Sequence, residues 1–133
     1  MSQNVFPCLR YRDAPAAIAW LGRAFGFHPL AVHPGPDGAI AHAEIALEGG
    51  IVMLGSTKPD AYGARSPGEV GEVSQSLYLW VEDVDAHHAR AAGAGADVFR
   101  GPEDTPYGSR EYSCRDLEGH VWSFGTYRPE TSA

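Results

Sequence analysis

Apolar residues recur along this chain in two rhythms, every second position in short runs and every third or fourth in a longer one, with Gly and Pro between them. Val5 to Tyr11 alternates as a strand. Asp13 then offers a carboxylate to the free amides of a helical first turn, and Pro15 falls where a missing N–H costs little. Ile18, Leu21 and Phe25 give that helix one apolar stripe, and Gly26 can end it in a left-handed turn. Beyond it, Phe27 to His33, Ala39 to Leu47 and Ile51 to Gly55 read as strands, the last two joined by a turn at Glu48-Gly49-Gly50. A sheet is expected beneath the helix stripe.

The same order returns 70 positions later. Leu9 falls on Leu79, Asp13 on Asp83, Pro36 on Pro106, Gly38 on Gly108, Leu47-Glu48-Gly49 on Leu117-Glu118-Gly119 and Gly55 on Gly125. A register kept over about 45 positions marks a duplicated unit, since chance identities scatter. The copy predicts strands at Ser76 to Val81, Val98 to Gly101, Ser109 to Arg115 and His120 to Tyr127, and a helix over Val84 to Ala92 capped by Asp83. The predicted class is α+β: two tandem βαβββ modules forming a cupped mixed sheet with helices on the outer face. One domain over 1–133 is expected, with module one at about 5–56, a Gly-, Pro- and Ser-rich linker at about 57–74 and module two at about 75–127.

Strand alternation sorts the side chains into faces. Leu77, Leu79 and Val81 suit packing under a helix, so Ser76, Tyr78 and Trp80 look the other way. Through the repeat, Phe6, Cys8 and Arg10 share that second face with Ile51, Met53, Val121 and Ser123. A mixed, aromatic-rich face opposite the helices is either a partner interface or the wall of a ligand cup.

Charge narrows the partners. With 17 acidic and 10 basic residues, the net charge of −7 repels a phosphate backbone, so nucleic acid is not expected as a partner. No apolar run approaches the ~20 residues of a membrane span, and Met1 to Arg12 lacks the pattern of a signal peptide. A cytoplasmic protein is expected, with Cys8 and Cys114 as reduced thiols, although one bridge between them stays open.

A duplicated βαβββ unit with Leu79-x-Val81-x-Asp83 leading into a helix and Asp116-Leu117-Glu118-Gly119-His120 leading into the last strand resembles the vicinal oxygen chelate superfamily. That superfamily includes glyoxalase I, extradiol dioxygenases, fosfomycin-modifying enzymes and bleomycin-resistance proteins. The resemblance implies metal ligands, mostly His and Glu, on the first and last strand of each module. Carried over by motif, those positions are Phe6, Ser76, Met53 and Ser123. Phenylalanine has no donor, a neutral hydroxyl is a poor ligand, and a thioether favours soft ions. No metal and no cofactor are therefore expected. The resemblance then points to the metal-lacking, bleomycin-resistance-like members, which hold a small molecule in a cup completed by a second subunit; a homodimer is expected.

The candidate ligand contacts are Phe6, Cys8, Arg10, His42, Glu44, Met53, Ser76, Tyr78, Trp80, Arg110, Tyr112, Cys114 and Ser123. Aromatic rings supply rigid contact area, and Arg10 or Arg110 can anchor an anionic group. His42 and Glu44, two apart on one strand, face the same way, opposite Ala43 and Ile45. With Tyr112 they form the alternative, an acid–base set for a glyoxalase-like lyase, isomerase or dioxygenase-related reaction. Cys114, the register partner of Glu44, shares parity with Tyr112 and Arg110, which sets all three on the ligand side. His87 and His88 point about 100° apart on their helix and read as surface; His120, Trp20 and Trp122 read as structural. Pro102 to Ser109 reads as a loop at the cup rim.

Overall fold

The computed structural model describes residues 3–130. Its strands are β1 (Cys8–Tyr11), β2 (His28–Pro34), β3 (Ile40–Leu47), β4 (Gly50–Ser56), β5 (Ser76–Trp80), β6 (Asp97–Asp104), β7 (Arg110–Arg115) and β8 (Val121–Gly125). Its helices are α1 (Ala14–Phe25), the single turn α2 (Pro67–Val70) and α3 (Val84–Gly93). Two four-stranded sheets form, ordered β1-β4-β3-β2 and β5-β8-β7-β6. The β1/β4 and β5/β8 pairs are parallel and the others antiparallel. This is the predicted tandem βαβββ architecture. Asp13 and Asp83 cap α1 and α3 by accepting from Ala16 N and Ala86 N at 3.1 and 3.0 Å. Gly26 ends α1 at φ +93°, a conformation that a side chain would strain.

Each sheet turns one face to its helix, and α1 packs against α3, so the two halves share one core. Phe25 sits at the centre, its ring 5.3 Å from Trp122, 4.7 Å from Phe124 and 5.2 Å from Trp20. The helices cap each other at their C-termini, where carbonyls lack intrahelical partners. Arg90 donates to Arg23 O and Gly22 O (2.9 and 3.0 Å), while Trp20 Nε1 donates to Ala94 O (2.8 Å).

His87 departs from the surface reading. Its ring lies 4.3 Å from Phe124, its Nε2 donates to Phe25 O at 2.8 Å, and its Nδ1 accepts from the Tyr112 hydroxyl at 2.6 Å. The carbonyl can only accept, so the neutral tautomer protonated at Nε2 satisfies both bonds. Burial holds this imidazole below its ordinary range, against the raising influence of Phe25 O.

A buried carboxylate joins the halves. Asp116 accepts from the Tyr11 hydroxyl (2.6 Å), Trp122 Nε1 (2.9 Å), Glu118 N (2.9 Å) and His120 N (3.1 Å). In the same turn Glu118 accepts from Arg12 N and Asp13 N at 2.6 and 2.8 Å, and His120 Nε2 donates to Arg10 O at 3.0 Å. The second half thus grips the β1–α1 junction of the first. The linker is folded onto the same turn: Gly68 N donates to Glu118 O at 2.7 Å, where a Cβ on Gly68 would meet that oxygen at 3.0 Å.

The repeat register holds for the paired first and last strands, since Cys8 lies beside Met53 and Tyr78 beside Ser123. It fails in β7. Glu44 lies beside Met53, whereas Ser113 lies beside Ser123, a spacing of 69 where 70 was expected. A bulge between the His33–His42 and Pro34–Ile40 pairs gives β3 one residue, Ala41, that β7 lacks, and Asp116 restores the count in the next turn. A one-residue slip turns a strand over. Tyr112 and Cys114 therefore lie fully buried in the helix-side core, and Arg110 turns to α3, bound by Asp85 at two 3.0 Å contacts. The expected ligand-side placement of these three is corrected. Strand β6 also runs on to Asp104, which shortens the expected rim loop to a turn closed by Thr105 N donating to Ser109 O at 2.8 Å.

Asp116→Ala strands the Tyr11 and Trp122 donors and is expected to cost about 3–5 kcal/mol in denaturant unfolding; a loss below about 1 kcal/mol would refute the hub. His87 contributes little to pH dependence above about 7.5, where folded and unfolded states are both neutral. Below that, the unfolded chain binds a proton that the folded state resists, so stability falls as pH drops towards 5. His87→Gln is expected to flatten that part of the urea-midpoint profile.

Candidate functional site

Away from the helices each sheet presents an open face. On the first half, Cys8 and Arg10 of β1, Met53 of β4 and His42 and Glu44 of β3 share it. His42 Nε2 and Glu44 Oε2 lie 3.0 Å apart, both part-exposed, and the His33 ring stacks 6.0 Å from that of His42. Such a pair can orient an imidazole. Cys8, Arg10, His42 and Met53 line a cavity of about 350 Å³ whose far wall, Lys58, Asp60 and Tyr62, comes from the linker.

Arg10 is the singular group here. One guanidinium nitrogen, Nη2, donates to Asp60 at 2.9 Å, and the Tyr62 ring centroid lies 5.7 Å from Cζ. The other, Nη1, is buried without a partner among the described residues. An unpaired buried donor costs about 1–3 kcal/mol, so the site is incomplete as it stands.

On the second half Ser76, Tyr78 and Trp80 of β5 and Ser123 of β8 take the open face, as expected. Ser76 and Tyr78 are exposed and Trp80 is half-buried. Tyr78 crosses Gly125, where any Cβ would come within 2.6 Å of its hydroxyl, and donates to Tyr127 O at 2.6 Å. The Arg128 guanidinium lies 4.6 Å from the Trp80 ring centroid. Along β5, Ser76, Tyr78, Trp80 and Arg128 meet Val5, Pro7 and Ile51 of the first half around a cavity of about 550 Å³. This is the larger site, with walls from both halves.

Next to it runs a polar network that the repeat register concealed. Arg100 donates to Glu111 (3.1 Å) and Ser113 (3.3 Å), Tyr107 donates to Glu111 (2.9 Å), and the Ser113 and Ser123 hydroxyls lie 2.7 Å apart. Burial pushes the Glu111 carboxyl up, but hydrogen bonds from Tyr107 and Arg100 outweigh it and hold it below its ordinary value. Only the β3 bulge, invisible in the residue pattern, would have placed Glu111 and Ser113 on this face.

The remaining candidates fall elsewhere. Phe6 precedes β1, is exposed and lines neither cavity. Burial pushes the Cys114 thiol up to about 12 and keeps the Tyr112 phenol protonated, so neither serves as a nucleophile or base. Cys8 is exposed and free while Cys114 is buried and free, which leaves no bridge between them. Tyr112 is bonded to His87 in the helix-side core, whereas His42 and Glu44 lie on the open face of the other sheet.

A resident metal ion would be held by Phe6, Met53, Ser76 and Ser123 if the superfamily pattern applied, and those residues do not fit one. Ser123 already shares its hydrogen bond with Ser113, Phe6 has no donor, and Met53 is a thioether. Among the described residues no three His, Cys, Asp or Glu side chains converge on one point.

Comparison with known proteins agrees with this topology. An uncharacterized protein of Mycobacterium bovis is 38% identical over 94% of this chain and 86% of its own length. An uncharacterized protein of Mycobacterium tuberculosis is 38% identical over 94% of this chain and 77% of its own length. Among solved structures, TioX from Micromonospora sp. ML1 is 35% identical, covers 98% of this chain and 100% of its own, and superposes with a TM-score of 0.75. The fosfomycin resistance protein FosX from Listeria monocytogenes, solved with Mn(II), shares the fold at 11% identity, over 96% of this chain and 94% of its own, with a TM-score of 0.68. The family model for glyoxalases covers residues 5–124, both βαβββ units together, and the chain is a member of the Glyoxalase/Bleomycin resistance protein/Dioxygenase superfamily.

Proposed function

We propose that this protein binds and sequesters an apolar or aromatic small molecule, in the manner of a bleomycin-resistance protein and without a metal ion. One observation carries the reading: a duplicated fold in which the positions that the family resemblance gives to metal ligands hold Phe6, Met53, Ser76 and Ser123, while Tyr78 and Trp80 line the larger cavity. Rings of this kind offer flat contact area at small entropic cost, suited to a planar ligand. The two open faces look away from the shared core, so a second copy would set one against the other and close a cup; a homodimer follows from the reading.

A second reading has one observation in its favour, the His42–Glu44 pair at 3.0 Å on an open face. It makes the protein an enzyme with Glu44 orienting His42 as base, without Tyr112.

Thermal-shift screening with planar aromatic compounds is expected to yield a ligand that raises the melting midpoint. Trp80→Ala should weaken that ligand at least about tenfold. Tight, stoichiometric uptake of Zn²⁺, Ni²⁺ or Mn²⁺ mapping to β1, β4, β5 and β8 would sink the proposal. Turnover that collapses in Glu44→Gln with folding intact would favour the enzyme. Light scattering at tens of micromolar should report a dimer.

A further inference from the structure

The open face of the first half carries an incomplete receptor. Arg10 is held by Asp60 through Nη2 and leaves Nη1 buried and unpaired, at the wall of a cavity that Lys58 also lines. A guanidinium presents its donors in a planar fork, and an oxyanion is the group that fills such a fork with charge-assisted bonds. Asp60 matches the Arg10 charge through Nη2. What the cavity still offers an anion is the unpaired Arg10 Nη1 donor and the Lys58 ammonium on its wall.

We propose that Arg10 receives an oxyanion, a carboxylate or phosphonate, borne by the small molecule that this protein binds; the inference rests on the ligand-binding reading above and names one group of that ligand. Tyr62 borders this wall. It is 84% exposed, its ring centroid lies 5.7 Å from Arg10 Cζ, and it rides on a tight turn in which Gly63 N donates to Asp60 O at 3.2 Å and Gly63 adopts φ +63°. An exposed ring on a surface turn moves aside without disturbing the core, so the linker side of the cavity has room to give way to an anion beside Arg10. Asp60 keeps its place on Nη2, which orients the fork and also opposes an incoming anion by its charge.

Benzoate, phenylphosphonate and the neutral isostere benzamide are the probes, titrated into the full chain with backbone and arginine side-chain N–H signals followed by NMR. Benzoate or phenylphosphonate should shift the Arg10 signals and bind more tightly than benzamide, the better of the two identifying the anionic group. Arg10→Gln should weaken the anion at least about tenfold and leave benzamide unchanged, while Asp60→Asn should tighten the anion several-fold by removing a neighbouring negative charge. If Arg10→Gln fails to fold, the Asp60→Asn comparison still decides. Equal binding of benzoate and benzamide, or anion affinity indifferent to both substitutions, overturns the inference. A neutral planar probe such as quinoline separates the two readings. Quinoline shifting Tyr78 and Trp80 while benzoate and phenylphosphonate both leave Arg10 silent defeats the oxyanion receptor alone; an Arg10-dependent anion with no aromatic site defeats the sequestration reading alone.

Discussion

One carboxylate, Asp116, organises the contact between the two halves. An ionised carboxyl group offers about four acceptor sites, and here all four are used by donors from both halves: Tyr11 from the first, and Trp122 and two turn amides from the second. These bonds form out of water, where a charged acceptor is strongly preferred to none, and burial together with the nearby Asp116 charge drives the Tyr11 phenol well above its ordinary pKa. Glu118, two residues on, takes the amides of Arg12 and Asp13, immediately ahead of α1. The entry of the first helix is thereby set by a turn more than a hundred residues later, and Phe25 arrives against Trp122 and Phe124 as a consequence.

Reciprocal capping completes the arrangement. Arg90 and His87 of α3 satisfy the terminal carbonyls of α1, and Trp20 of α1 satisfies the end of α3. Because both helices are committed to each other at the centre, both open faces look outward. The seam between the halves stays open too: there the N-terminal segment, the β3–β4 turn and β5 enclose the larger cavity.

Much of this site was legible in the residue pattern, and what was not has a definite cause. The His42–Glu44 pair follows from a spacing of two on a strand, and Tyr78, Trp80, Met53 and Ser123 follow from alternation within segments that obey the repeat. Tyr112, Cys114 and Arg110 went to the wrong side, and Glu111 and Ser113 went unseen, because the Ala41 bulge displaces one strand by one residue. A bulge is decided by how neighbouring strands pair, and an alternating segment looks the same with or without one. His87 read as surface because adjacent histidines on a helix point apart, a rule that says nothing about what packs above them. Asp60 and Tyr62 lay in a segment whose Gly and Pro content marks a connector, and only its folding back over Arg10 makes it a wall.

By itself the chain determined the duplication, the capping residues, the order of strands and helices and the absence of hard metal ligands at the expected positions, since each depends on neighbours in sequence or on side-chain chemistry alone. Tertiary structure decided which side chains of β7 face the open side of the sheet, which carboxylate joins the halves, and which arginine is left with an unmatched donor. These are outcomes of long-range pairing, and a one-residue difference between two otherwise matching halves is enough to reverse them.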